Sequence, residues 1–187
     1  ILVMLKCLLS ETGLVFSQID ALAFGCGPGS FTGLRIAASV IQGLAVAWDR
    51  PVIPISSLNA LAQGVCRQLN AKQVFSCLDA RMGEIYGGFY IFSSETQRMQ
   101  QFCPDFLIAP EAVTFPETFD WFGAGTGFKA YLDVFEDQKK LILNEMGMGF
   151  YPHAYDVVDL AVEAFENGQF VSAEEAVPVY LRNKVVG

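Results

Sequence analysis

Histidine is almost absent from this sequence, and its scarcity excludes several kinds of catalytic centre. The chain contains one histidine, His153, so a two-histidine metal site of the H-E-x-x-H type cannot form within it. A Ser-His-Asp triad would have to use His153, but no G-x-S-x-G turn accompanies it. We therefore predict no metal site and no catalytic residue, and we interpret His153 as a helix cap or a surface side chain.

Positively charged side chains are also few. Twelve Lys and Arg stand against 20 Asp and Glu, which gives a formal net charge of -8 at pH 7. Such a protein repels a polyphosphate backbone at long range, so direct, unaided nucleic-acid binding is disfavoured. Only 17% of the residues are charged, whereas 52% are hydrophobic. The chain can therefore bury a sizeable core and is not disordered.

Paired cysteines and long membrane-spanning runs are lacking too. The five cysteines are widely spaced and form no C-x-x-C pair, which argues against a disulfide framework and a zinc knuckle. The uncharged stretch at residues 36–48 is shorter than the ~20 apolar residues of a membrane span. The apolar run at residues 1–9 has neither a basic leader nor a cleavage site. We expect a cytoplasmic protein with no membrane contact and with reduced, mostly buried thiols.

Residues 1–71 have the pattern of an α/β lobe. Residues 1–10 are apolar at nearly every position and precede Gly13, which predicts a helix and its stop. The residues that follow alternate between strand and helix patterns. We predict strands at residues 19–25 and 52–55, and helices at residues 31–48 and 57–68, the second of them capped by Ser57.

Residues 72–187 change to β-branched and aromatic runs and predict a second α/β lobe. Met82 and Gly83 lie where the first two runs must reverse, which indicates an antiparallel hairpin. The remaining elements follow in order. We predict strands at residues 74–78, 84–92, 101–108 and 120–123, and helices at residues 128–135 and 154–167, the last of them stopped by Gly168.

One glycine motif occurs twice. Residues 24–29 read F-G-C-G-P-G and residues 122–127 read F-G-A-G-T-G, each between a predicted strand and a predicted helix. Such an internal echo indicates duplication. It predicts two similar α/β lobes that face a cleft.

The first glycine motif continues as G-S-F-T-G-L-R and permits two interpretations. A strand that delivers glycines to a helix N-terminus can present backbone N–H groups to an anion. However, the motif is neither a Walker A loop nor G-x-G-x-x-G, and a tight turn capped by Ser30 or Thr32 explains it equally. If a remnant nucleotide cleft exists, it is formed by Gly27, Gly29, Ser30, Thr32, Asp79, Gly125 and Gly127.

Charged residues flank the predicted hairpin turn. Asp79, Arg81 and Glu84 could place a carboxylate beside a guanidinium at a cleft, where general acid–base use is conceivable. They could equally form a surface ion pair that rigidifies the turn.

The predicted helix at residues 31–48 is apolar on more than one face. One stripe at helical spacing runs from Leu34 to Trp48, and a second stripe of smaller residues runs beside it from Ile36 to Ala47. The helix at residues 1–9 likewise has almost no solvated face. Because helices that are apolar all round must be covered, these helices form either an interface or part of a buried core.

Three motifs stand in order along the chain: G-P-G-S-F-T-G-L-R at residues 27–35, D-A-R-M-G-E-I-Y at 79–86 and A-V-P-V-Y-L-R-N at 176–183. Over essentially the whole chain, the sequence resembles the bacterial TsaB family. The resemblance implies a duplicated actin-like α/β fold of the ASKHA, RNase H-like type. Family members begin with strands that carry an Asp-Thr-Ser-like motif, and we expect the first lobe to lack these opening strands because none precedes Ile1.

The resemblance also implies a function. TsaB proteins take part in making threonylcarbamoyladenosine next to the tRNA anticodon, without catalytic activity or a cofactor of their own. They pair with the paralogue TsaD, the ATPase TsaE joins them, and tRNA is contacted indirectly through the complex. In the family, the helices before and after the first glycine motif pack against an equivalent pair. The residues so assigned to partner binding are Ile1, Leu5, Leu8, Ile36, Val40, Gly43 and Ala47.

Two alternatives remain open from the sequence. The first is an actin-like ATPase or phosphotransferase that binds nucleotide between the two glycine turns and uses Asp79 toward Mg²⁺. The second is a homodimer that pairs the same helices with themselves, because both assemblies bury one apolar patch.

Overall fold

The computed structural model describes residues 1–182, apart from the side chains of residues 145 and 146. Asn183, which closes the third motif, and the rest of the predicted lobe to residue 187 lie outside the described residues.

The first lobe follows the predicted alternation of strand and helix. Helix α1 ends where Gly13 adopts a left-handed conformation (φ 68°), as the sequence predicted. The first strand begins at Leu22 rather than at residue 19, and a short 3₁₀ turn, Phe16–Gln18, precedes it. The elements are α1 (Leu2–Thr12), β1 (Leu22–Gly27), α2 (Phe31–Trp48), β2 (Val52–Ser56) and α3 (Ser57–Leu69).

Serine residues cap both long helices of this lobe. The Ser30 hydroxyl accepts a hydrogen bond from Gly33 N at 3.4 Å and begins α2, which decides between the two caps proposed for that helix. The predicted Ser57 cap of α3 is wrong. The cap is Ser56, whose Oγ accepts from Leu58 N (3.2 Å) and Asn59 N (3.4 Å), because β2 extends one residue further than expected.

Strands β1 and β2 form a parallel two-stranded sheet in which Leu22 pairs with Val52. Side chains alternate between its two faces. Phe24, Cys26 and Val52 pack toward Ala38 and Ala45 of α2. The opposite face, which includes Ile53 and Ile55, packs against the last helix of the chain. The small sheet therefore separates two helical layers.

The second lobe is a six-stranded sheet with the order β5-β4-β3-β7-β8, and β6 pairs with β4. The antiparallel β3–β4 hairpin reverses at Met82 and Gly83, as predicted. The single strand predicted at residues 101–108 is wrong: β5 and β6 replace it, because Pro104 in the middle has no N–H for a ladder. The strands are β3 (Gln73–Arg81), β4 (Glu84–Ser93), β5 (Arg98–Gln101), β6 (Phe106–Ile108), β7 (Trp121–Ala124) and β8 (Leu141–Ile142).

The helices of this lobe are shorter than expected. The single helix predicted at residues 128–135 is wrong, because Tyr131 leaves the helical region (φ -134°, ψ 39°) and divides it. The last helix begins at Ala154 and is capped by His153, whose Nδ1 accepts from Tyr155 N at 3.1 Å, which confirms the cap interpretation. The helices are α4 (Gly127–Ala130), α5 (Leu132–Phe135), α6 (Glu145–Met148) and α7 (Ala154–Glu166).

Helix α7 packs on the first lobe, although it follows the second along the chain. Val157, Leu160 and Ala161 are buried against Ile53 and Ile55 of β2. The division of the chain at residue 71 stays a prediction, and the elements after it reach back across that boundary.

A buried ion pair fixes α7 to α3. The Asp156 carboxylate is 1% exposed and accepts two hydrogen bonds from Arg67, at 2.8 and 2.9 Å. The hydrogen bond to Asp156 raises the pKa of the Arg67 guanidinium above its ordinary value. Since Gly64 leaves no room for a side chain beside this carboxylate, the two helices approach closely here.

The extended segment 169–182, which we call the C-terminal strap, joins both lobes. Val171 exchanges two backbone hydrogen bonds with Val52, at 2.8 and 3.0 Å. Val179 N donates to Cys26 O at 2.8 Å, and the Arg182 guanidinium forms a 2.7 Å ion pair with Glu84. The strap therefore runs from β2 past the end of β1 to the β3–β4 hairpin.

The five free thiols differ in burial, and Cys103 is intermediate between the exposed and the buried ones. Cys7 is exposed, whereas Cys26, Cys66 and Cys77 are buried. Burial raises the pKa of Cys26 to about 11 and raises that of Cys77 further, so little of either is thiolate near neutral pH. We expect iodoacetamide at about pH 8 to modify Cys7 in the native protein and Cys26 and Cys77 only after unfolding.

Peptide mass spectrometry before and after urea treatment measures this difference. Rapid native modification of Cys77 would contradict the close packing around it.

Candidate interaction surface

Helix α1 lies on the surface with an apolar face open to solvent. It contains no buried residue. Of the residues predicted to bind a partner, Ile1 and Leu8 are exposed and Leu5 is partly buried. A helix this short and apolar does not remain stable in water without packing. The face therefore has the properties of an interface.

Helix α2 uses one side for the core and leaves another free. Leu34, Ala38 and Ala45 are buried on the β1–β2 sheet. On the free side, the predicted residues Ile36, Gly43 and Ala47 are exposed and Val40 is partly buried. The structure thus places the predicted second stripe away from the core.

Sequence reasoning missed the most exposed apolar residue of α2. Val46 is 72% exposed and lies three residues after Gly43, on the same side of the helix. The helical spacing could have found it, because a position three residues after an exposed one shares its face. We use the name α1–α2 face for nine exposed residues on these two helices, and they are Ile1, Leu2, Val3, Met4, Leu8, Ile36, Gly43, Val46 and Ala47.

A shallow groove of about 600 Å³ follows α2 on this face. Gly43, Val46 and Ala47 form one side of the groove, and Ala173 and Glu174 of the C-terminal strap form the other. The strap is held beside the helix by Gln42, whose Nε2 donates to Ala176 O at 3.2 Å. Because the lining side chains are small, a partner helix could approach the backbone of α2 closely.

The ends of α2 are held by stacked rings. At its start, the Arg35 guanidinium lies 3.9 Å from the centre of the Phe31 ring, and Arg35 Nε donates to Tyr180 Oη at 3.2 Å. At its end, Trp48 stacks on Phe16 at 4.1 Å. These contacts fix the helix while its free side stays open.

Helix α2 is also long and apolar enough to cross a membrane by length and composition alone. This corrects the expectation that its apolar stretch is too short. The same composition is expected of a helix that packs against the core on one side and against a partner protein on the other. The contacts of Gln42 and Arg35 with the strap belong to a helix packed in protein, and the absence of a membrane contact stays a prediction.

The first glycine turn is filled by the C-terminal strap. Gly27 has φ 121°, and a Cβ added there would lie 2.7 Å from Val179 O. Gly29, in contrast, faces open space, and Thr32 is exposed on the first turn of α2. The structure thus explains Gly27 by close backbone packing.

The second glycine turn is filled by β3. A Cβ at Gly125 would overlap Cys77 O, and one at Gly127 would overlap Cys77 Sγ. Gly27 lies against Val179 and Leu34 instead, so the two turns have different neighbours. These contacts explain both glycine turns by packing alone. A nucleotide cleft between the turns stays a prediction.

Asp79 is engaged by its own hairpin. Its carboxylate accepts from Arg81 N at 2.8 Å, pairs with Arg81 Nη1 at 3.1 Å and accepts from Tyr131 Oη at 3.5 Å. Burial and the Asp79 charge raise the pKa of Tyr131 above its ordinary value. Glu84, by contrast, pairs with Arg182, a partner that sequence reasoning missed. Among the described residues, no group of three or more His, Cys, Asp or Glu is placed to hold a metal ion.

Comparisons with known proteins give consistent results. The family model described as "TsaD: tRNA N6-adenosine threonylcarbamoyltransferase" matches residues 1–135. The chain is 37% identical over 200 residues to the "tRNA threonylcarbamoyladenosine biosynthesis protein TsaB" of Escherichia coli, with 99% of this chain and 80% of that protein covered. The TsaB protein of Haemophilus influenzae is 38% identical over 192 residues, with 99% and 79% covered.

A solved structure, "YeaZ from Pseudomonas aeruginosa", superimposes with a TM-score of 0.87 at 42% identity, over 96% of this chain and 82% of that one. The match confirms the predicted actin-like α/β fold class.

Proposed function

This chain belongs to the TsaB family of tRNA threonylcarbamoyladenosine biosynthesis proteins, and on that premise we propose that it is a non-catalytic partner subunit in this modification. Its α1–α2 face binds a TsaD-like paralogue. A TsaE-like ATPase joins the complex, and tRNA is contacted through the complex rather than by this chain alone. The complex works in the cytoplasm, and this subunit needs no cofactor.

The exposed α1–α2 face is the observation that carries the proposal. Helix α1 buries none of its residues within the chain, although seven of its eleven residues are apolar. Exposed apolar surface of this extent marks an interaction site. A protein partner that covers both helices would bury Ile1, Leu8 and Ile36 together.

The TsaD match indicates which kind of partner fits. The matching residues 1–135 include both helices of the face, so a TsaD protein carries a related helix pair. Two such pairs can pack as four helices, with the groove beside Gly43 and Ala47 receiving a helix of the paralogue. The small residues of the groove permit a short distance between the helix axes.

The contacts made by the residues of the predicted cleft support a subunit without catalytic activity. Asp79 is paired with Arg81 within its own hairpin, so a metal ion would have to compete with that guanidinium. The space above Gly125 and Gly127 is occupied by Cys77. The net charge of -8 also favours leaving phosphate contacts to the partner.

A charge on the α1–α2 face tests the proposal. We expect Val46→Glu to abolish the complex with the TsaD-like protein, because the carboxylate would have to be buried without a partner. Val46 is exposed, so the variant should fold normally. Sedimentation velocity of each variant mixed with the TsaD-like protein measures complex formation.

Val162→Glu is the matched control, because it makes the same substitution on α7, outside this face. It should leave the complex intact. A complex that survives Val46→Glu, or that Val162→Glu removes, would refute the assignment of the α1–α2 face.

A further inference from the structure

A cavity of about 570 Å³ lies where β2, β5, α7 and the C-terminal strap meet. We call it the β5–α7 cavity. Ile55, Leu160 and Phe170 belong to its apolar lining, and Gln101 and Glu163 are among its polar residues. Its volume is typical of clefts that hold a ligand. None of its lining residues belongs to the α1–α2 face.

One side of the cavity is formed by strand β5, the outermost strand of the six-stranded sheet. Phe102 N donates to Phe89 O at 2.8 Å. Because the hydrogen bonds of an antiparallel pair alternate, the backbone groups of Met99 and Gln101 point away from β4. Met99 N donates to Gln63 Oε1 at 2.8 Å. Within the described chain, the outward N–H and C=O of Gln101 have no such partner, and an extended peptide can bind both.

The cavity is acidic, and no cation neutralises it. Glu163 is partly buried and forms no ion pair with any described residue. No lysine or arginine is among the described residues that line the cavity, and Arg98 of β5 is paired with Asp159 at 3.3 Å. The Asp105 carboxylate beside the cavity accepts hydrogen bonds from three uncharged donors, Ser56 Oγ, Tyr90 Oη and Gln101 Nε2. The cavity therefore disfavours an anionic ligand and attracts a cationic one.

The lining favours arginine among cationic groups. Phe170 lines the same cavity as Glu163 and is 48% exposed. A planar guanidinium can stack on an aromatic ring and pair with a carboxylate, whereas an ammonium is a compact point charge. The apolar stem of an arginine can pack on Leu160 and Ala164.

From these observations we propose that the β5–α7 cavity binds an extended segment of a protein partner that carries an arginine. The backbone of the segment exchanges hydrogen bonds with Gln101 and continues the sheet by one residue pair. Its guanidinium pairs with Glu163 and stacks on Phe170. Because α2 and α7 pack on opposite sides of the β1–β2 sheet, a segment bound here leaves the α1–α2 face accessible.

Titration of the isotope-labelled full chain with a short peptide, followed by two-dimensional NMR, tests the proposal. The probe is an acetylated and amidated pentapeptide with arginine at its centre and alanine elsewhere, added into the millimolar range. We expect saturable shifts of the backbone amide signals of Gln101, Ala164 and Phe170. The affinity should exceed that of the peptide with a central glutamate by at least about fivefold, because the cavity is acidic.

Glu163→Gln should weaken binding of the arginine peptide at least about fivefold, because it removes the unpaired carboxylate. Glu166→Gln is the matched control, since it removes the same charge from the same helix at an exposed position outside the cavity. It should change the affinity less than about twofold. The amide spectrum of each variant shows whether it is folded.

Several results would overturn the proposal. One is the absence of saturable shifts with the arginine peptide, and another is shifts confined to other surfaces. Equal affinity for the arginine and glutamate peptides would show that the cavity does not select a cation. Equal affinities of the Glu163→Gln and Glu166→Gln proteins would show that Glu163 does not pair with the guanidinium.

Discussion

Replacing Arg67 by Ala is expected to lower the free energy of unfolding by ~3 to 5 kcal/mol. Asp156 is almost fully buried, and Arg67 supplies both hydrogen bonds to its carboxylate oxygens. Without the guanidinium, a buried charge is left without its partner, and that is the costly way to break such a pair. Because the pair joins α3 to α7, the loss also loosens the packing between them.

Urea unfolding monitored by circular dichroism measures the change. Lys140→Ala is the matched control, since its contacts with Glu117 (3.9 Å) and Asp120 (3.6 Å) are long and solvent-exposed and should contribute ~0 to 1 kcal/mol. Arg67→Lys, which keeps the charge but loses the two-pronged geometry, should fall between them. Equal stability of the Arg67→Ala and Lys140→Ala proteins would show that water reaches Asp156.

Gly125→Ala is expected to destabilise the protein by more than ~3 kcal/mol. Gly125 has φ 112°, a conformation that residues with a side chain rarely adopt. Its Cβ would also overlap Cys77 O and crowd Leu61. To accommodate the methyl group, β7 would have to move away from β3, and the two strands are hydrogen-bonded neighbours.

Gly29→Ala is the control from the other copy of the glycine motif, because its position faces open space and its φ is not positive. It should change the free energy of unfolding by less than ~1 kcal/mol. Thermal unfolding of both variants tests the pair. A stable Gly125→Ala protein would mean that the turn tolerates a side chain, and the packing explanation of this glycine would fail.

Local patterns in the sequence predicted the first lobe well. The apolar spacing and the caps placed α2 at its observed ends, and Gly13 correctly marked the end of α1. The prediction failed where neighbouring residues compete for one role, as at Ser56 and Ser57, either of which could cap α3. It also failed at Tyr131, because its backbone conformation depends on the packing of α4 and α5 rather than on a breaking residue.

The exposed side of α2 was predictable for the same reason. Helical spacing placed Ile36, Gly43 and Ala47 on one side of α2, and the structure leaves them exposed. Helical spacing could not predict which helices pack against the core and which side of α7 is buried. The position of α7 against β2 depends on contacts across about a hundred residues, so its buried side and its exposed side emerge only from the folded chain.

The glycine motifs show how one pattern permits two explanations. Their spacing suits phosphate binding and close packing equally, since both need backbone without a side chain. The neighbours of Gly27 and Gly125 are backbone oxygens of Val179 and Cys77, and neither neighbour is close to these glycines in sequence. Local sequence patterns therefore cannot identify packing partners of this kind.

The C-terminal strap and α7 have a consequence for the order of events during translation. The β3–β4 hairpin joins residues that are neighbours in sequence, so it can form while the chain is still emerging from the ribosome. Strands β1 and β2 emerge earlier. However, α7 covers one side of their sheet and the C-terminal strap forms backbone hydrogen bonds with Val52 and Cys26, so the sheet is complete only after residues 154–182 have been made. The lobe that begins synthesis first therefore completes its folding last, and a nascent chain acquires its α1–α2 face in final form only when nearly all of the described residues have been made.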